Sequence, residues 1–219
     1  IILNAITNSI YFNIKMQNYL KSEESDRSVL FFNQTYIRGL NEGLADYWGW
    51  IYSNESDYIS QSLPQFGAAR KLEITNVQAG VYEKDKDIKS RVEEAVVFSR
   101  KPSEYLSSYI YTIGTPHARF LKKLTLMKAS ELQISADEAK LLVAKSIYKL
   151  VQKLASQVEK IGAADSLSAS FLFDYYAQPE ISGLLLNKDQ CDFVLSYVDT
   201  TSSQKNQLKL CKARSDDTK

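Results

Sequence analysis

The sequence predicts an all-α, mainly helical body, and three observations carry that prediction. Apolar residues recur at helical spacing through residues 36–50 and just beyond, at Ile37, Leu40, Leu44, Trp48 and Ile51. Ser135 is followed three residues later by Glu138, the capping pattern of a helix start. Strand signals are few. The 219 residues are 44% apolar and 11% aromatic, enough for a buried core and too apolar for a disordered chain. One helical domain spanning residues 1–219 is the expected organisation.

Taken in order, residues 1–21 read as a first helix with one stripe of Asn4, Ala5, Asn8, Tyr11, Phe12 and Lys15 and another of Leu3, Ile6, Ile10 and Ile14, both expected to be buried near its N-terminal end as in a centrally placed helix. Residues 21–28, KSEESDRS, are polar and charged and read as a loop leading through Leu30, Phe31 and Phe32 into the helix of residues 36–50. Pro64, Gly67 and several Ser and Asn residues then mark loop and a short helical turn. Residues 83–100 read as a solvated helix with one apolar face. Pro102 and Ser103 punctuate the chain before an aromatic-rich segment at 104–113. Gly114 and Pro116 are expected to interrupt it, with a further helix from His117 to about Met127. His117, the single histidine, reads as a surface or capping residue at that helix start. The capped helix from Ser135 continues to Ile161 through Val143, Ile147, Leu150, Leu154 and Val158, and Gly162 closes it. Asp165 opens a helix to Tyr176 that stops before Pro179. Asn187 opens the last helix, with Cys191, Phe193, Val194 and Val198, and the tail from Thr200 is polar.

Composition also excludes some functions. The formal charge is +1, with 24% charged residues spread along the chain and no long basic block, so nucleic acid is not an expected partner. The apolar runs fall far short of the roughly 20 residues of a membrane span. Cys191 and Cys211 enclose a short loop. They suit either a disulfide in an exported protein or two buried thiols in a reducing compartment. The location is open, with a lean toward an extracytoplasmic or secreted protein.

The chemistry concentrates in the helix of residues 36–50. Gly39, Gly43 and Gly49 weaken it by roughly 1 kcal/mol each relative to alanine. Close approach of another backbone is the usual compensation. Glu42 and Asp46, four residues apart, lie on that same bare side. Two acids on the tight face of a helix suggest a site.

Asn41-Glu42-Gly43-Leu44-Ala45-Asp46 resembles the second motif of the gluzins, the thermolysin-like zinc metallopeptidases. In that family a helical N-E-x-x-x-D supplies a glutamate as third zinc ligand, and its aspartate steadies a histidine ligand. The resemblance implies the helical lobe of such an enzyme, with Glu42 and Asp46 in those two places. The first motif, HExxH, is absent. Where it belongs stand Asn4 and Asn8 at the histidine positions and Ala5 at that of the glutamate base. Ile1 falls inside the first turn of that helix, which implies a piece of a longer chain without the family's N-terminal sheet lobe. Further on, Tyr111-Thr112-Ile113-Gly114 fits the frame of the oxyanion-binding histidine, with Tyr111 in its place. Ala68-Ala69-Arg70-Lys71-Leu72 resembles the segment bearing the family's substrate-contacting arginine, with Arg70 as candidate.

Amide side chains are poor zinc ligands and alanine accepts no proton, so two ligands and the base are lost together. The expected function is therefore a catalytically inactive, pseudo-peptidase domain that binds a peptide or protein partner. No cofactor is expected, although the carboxylate pair leaves room for zinc or calcium. The alternatives are a zinc peptidase whose motif is altered in this sequence and an unrelated helical interaction protein.

Overall fold

The computed structural model describes residues 24–65, 70–72, 85–99, 101–107, 109–160, 175–176, 178–196 and Cys211. Among these residues eight helices have defined bounds, further helical residues stand at 64–65, 70, 175–176 and 211, and no strand forms. The eight are α1 (Glu24–Ser53), α2 (Tyr58–Ser62), α3 (Asp85–Phe98), α4 (Pro102–Tyr105), α5 (Ile110–Leu132), α6 (Ala136–Lys160), α7 (Pro179–Ser182) and α8 (Lys188–Ser196). The helical class expected from the sequence holds. The first helix at residues 1–21, the Gly162 cap, most of the segment opened by Asp165 and the tail from Thr200 lie outside the described residues.

Two long helices, α1 and α5, form the centre. α3 and the short α2 and α4 pack on α1, while α6 packs on α5 and α7 on α6. The core between them contains Phe32, Tyr36, Ile37, Leu40 and Tyr47 of α1 and Ile113, Leu121 and Leu124 of α5. Val143, Ile147, Leu150 and Leu154 supply the buried face of α6, as their spacing predicts. Ile88, Val92 and Ala95 do the same for α3.

α1 and α5 cross with almost no side chain between them. A Cβ on Gly114 would lie 2.7 Å from the Gly39 oxygen and 2.8 Å from the Gly43 nitrogen. A Cβ on Gly43 would run into the Gly114 carbonyl, and one on Gly39 would sit 2.6 Å from Ile113 Cβ. This is the backbone approach that the glycines of α1 predict. Gly49 differs from that expectation. Its neighbour is a side chain, the ring of Tyr58, whose Cδ2 would lie 2.9 Å from an added Cβ.

Three boundaries depart from the sequence reading. α1 starts at Glu24, inside the stretch read as a loop. That stretch has no glycine or proline to break a helix, and the buried Phe31 and Phe32 follow within two turns of Glu24. Within α1 the buried stripe runs through Tyr47 and Trp50, while Trp48 is 45% exposed. Gly114 and Pro116 do not break α5, which runs on to Leu132. Gly114 is the contact point with α1. Pro116 removes one bond to the carbonyl of Thr112, an exposed residue. Pro179 likewise opens α7 as well as ending what precedes it.

The capping box at Ser135 forms, and a second one, not read from the sequence, stands at Asn187. The Glu138 amide donates to Ser135 Oγ at 3.2 Å and the Ser135 amide to Glu138 Oε2 at 2.9 Å. Gln190 and Asn187 exchange the equivalent pair at 3.0 and 3.1 Å ahead of α8. Cys191 and Cys211 are disulfide-bonded with Cα atoms 6.2 Å apart. Both are buried, and closing a loop of this length contributes about 3 kcal/mol.

The crossing makes a prediction of unusual sign. On an open helix face Gly43→Ala would stabilise by about 1 kcal/mol. Here it should destabilise by about 2 kcal/mol or more, because the methyl group meets backbone and has no flexible neighbour to displace. Urea unfolding of the variant checks this, with Gly43→Ala expected to shift the midpoint down.

Candidate functional site

Arg70 belongs to a short run, residues 70–72, that side chains from α5 hold in place. The Leu72 amide donates to the Ser56 carbonyl at 2.8 Å, Lys122 Nζ donates to the Leu72 carbonyl at 2.8 Å, and Arg119 Nε donates to the Lys71 carbonyl at 2.9 Å. Leu72 is wholly buried. Three anchors and a buried leucine fix where the preceding residue can reach. Arg70 reaches the face of α1 that carries Glu42 and Asp46.

Asp46 is fully buried. A bare carboxylate there would be strongly disfavoured, so its oxygens need donors. Arg70 Nε donates to Oδ2 at 3.2 Å and Arg70 Nη2 donates to Oδ1, a bidentate pairing. Tyr58 Oη donates to the same Oδ1 at 2.7 Å. Tyr58 can do so because Gly49 leaves space for its ring against α1. Glu42, one turn before Asp46, stands 3.7 Å from Arg70 Nη2. From α5, Tyr111 presents its ring to the guanidinium, with Arg70 Cζ 4.6 Å from the ring centroid.

The electrostatics follow from this packing. Burial, together with the hydrogen bond and charge of Asp46, pushes the Tyr58 phenol far above its usual range, so it stays a donor at any physiological pH. Burial works against the Arg70 charge, but the hydrogen bonds and charge of Asp46 outweigh it and raise the guanidinium above its ordinary value.

Glu42, Asp46, Arg70 and Tyr111, separated by up to 69 residues, therefore meet in one cluster. Asn41 is half-buried and forms no hydrogen bond with these four among the described residues. Asn4, Ala5 and Asn8 lie outside the described residues. Tyr58 is the member that sequence reasoning missed. Its only signal was an aromatic residue in a loop beside a glycine-bearing helix.

No family model, curated protein or solved structure matches this chain. The site is therefore read from its own chemistry. Zinc takes three protein ligands in such centres, and among the described residues no three His, Cys, Asp or Glu side chains come together. Both Asp46 oxygens are committed to Arg70 and Tyr58, and a guanidinium already faces both carboxylates. The described donors do not fit a zinc ion.

His117 is not at a helix start or on the surface. It lies inside α5 and is 1% exposed, because α5 begins seven residues earlier than its glycine and proline suggested. Its ring stacks on Phe120 at 6.2 Å, and Nε2 has no hydrogen-bond partner among the described residues. Burial pushes the imidazole down to about 4 from the usual 6.5, so it is neutral in the fold.

Two outcomes are expected. Tyr58→Phe should cost about 1–2 kcal/mol in urea unfolding, since it removes a donor from a buried carboxylate. For His117, the stability due to keeping the ring neutral is fully present above pH 6.5 and is lost as pH falls from 6.5 toward 4. The loss amounts to roughly 3 kcal/mol at most. His117→Phe should flatten the stability–pH curve in that window, as measured by denaturation at a series of pH values.

Proposed function

We propose that this chain is a non-hydrolytic, peptidase-like binding domain that takes a peptide segment of a partner against α1. One observation supports the reading above the rest. Of the five described positions that the gluzin resemblance marks, Glu42, Asp46, Arg70 and Tyr111 come from three separate segments and gather on one helix face, while Asn41 does not join them.

Arg70 does the work that a metal would do for two carboxylates. It compensates the buried Asp46, and it stays charged at all accessible pH values. That arrangement compensates Asp46 without a metal, which supports the reading of a domain that holds peptide and does not cleave it. Arg70 and the Tyr111 hydroxyl supply donors that suit peptide carbonyls. The reading includes no resident metal, and the buried disulfide agrees with an extracytoplasmic location.

The experiment uses the full chain. Immobilised protein is offered a peptide library, and retained peptides are titrated by calorimetry against the wild type and Tyr111→Ala. Binding should be present and weakened at least tenfold in the variant, with no cleavage of bound peptide. Stoichiometric zinc together with chelator-sensitive hydrolysis would overturn the proposal, as would a library from which nothing is retained.

A further inference from the structure

The cluster on α1 is not electrically closed. Among the described residues two carboxylates, Glu42 and Asp46, face one guanidinium, Arg70, leaving one negative charge in excess. The two acids are not equivalent. Asp46 receives three hydrogen bonds, whereas Glu42 has only the Arg70 contact at 3.7 Å, beyond hydrogen-bond range, and no hydrogen bond among the described residues. Arg38, one turn earlier on α1, forms no ion pair with Glu42 among the described residues. Glu42 is 28% exposed, so its open oxygens can be reached from solvent, and the neighbouring Ala45 is exposed and too small to cover them.

We propose that Glu42 selects a positively charged organic group, an ammonium or guanidinium, on the peptide that the domain binds. This rests on the peptide-binding reading above and specifies the partner's chemistry. An anion would meet an arginine already neutralised by Asp46, with a second carboxylate beside it, and would be repelled. A divalent metal would find one available carboxylate where it needs several ligands. An ammonium or guanidinium needs only one carboxylate. The cation can be a lysine or arginine side chain or a free peptide N-terminus, since both present the same chemistry to Glu42.

Four alanine pentapeptides separate these cases in calorimetry with the full chain in EDTA. One is capped with a central lysine, one capped with a central glutamate, one capped and wholly alanine, and one wholly alanine with a free N-terminus. The lysine peptide is expected to bind at least tenfold more tightly than the glutamate peptide. That preference should vanish in Glu42→Gln, whose helical circular dichroism should match the wild type, and should shrink as salt is added. The free N-terminus peptide binding above its capped form assigns the site to the chain terminus, and no difference between them assigns it to side chains. Equal binding of the lysine and glutamate peptides, or a lysine preference untouched by Glu42→Gln, overturns the charge inference and leaves peptide binding standing. Failure of all four to bind at millimolar concentration, together with an empty library screen, removes the peptide-binding reading itself.

Discussion

The contact on which the rest depends is backbone against backbone, where Gly39 and Gly43 of α1 meet Gly114 of α5. Helices usually pack 8–10 Å apart with side chains interleaved. Here the missing Cβ atoms bring the axes closer, and residues adjoining the crossing are drawn together with them. Glu42 lies beside Gly43 and within reach of Gly114, and Tyr111 lies one turn before Gly114. The site is thus a by-product of the crossing. The same substitution that would widen the crossing would also pull Tyr111 away from Arg70.

Charge is arranged around that geometry in a strict order of burial. Asp46 is wholly enclosed and fully satisfied, Arg70 is mostly enclosed and serves it, and Glu42 is half-open and incompletely satisfied. Enclosed ion pairs of this kind are sensitive to the loss of one partner, because the survivor stays buried without compensation. The anchors on residues 70–72 from Lys122 and Arg119 therefore matter to Asp46 as much as to the loop itself. A structural role for the pair and a binding role for Glu42 coexist, one behind the other along the same helix face.

Much of this was legible in the amino-acid order, and the failures have a common cause. The capping box at Ser135 and the helix start at Asn187 are local devices, complete within four residues, and both form. The apolar spacing of α6 is likewise local. Gly114 and Pro116 misled because their helix-breaking tendency is also local. What overrides it is contact with α1, about 70 residues away in the chain. His117 followed the same error, since its place inside α5 depends on the helix starting at Ile110. Trp48 and Trp50 exchanged roles because a long helix in contact with several neighbours has no single apolar seam.

What the sequence determined by itself was the helical class, the positions of several helix ends, a helix face too bare to be left uncovered, and two acids set on that face. These follow from properties a residue has together with its nearest neighbours: propensity, capping and periodicity. Only the tertiary structure decided that α5 fills the bare face, that Tyr58 occupies the space left by Gly49, that Arg70 neutralises Asp46 while leaving Glu42 open, and that Cys191 and Cys211 are joined. Those outcomes depend on which distant segments the packed core brings within a few ångströms. Such contacts are set by the summed burial of many side chains and carry no local mark.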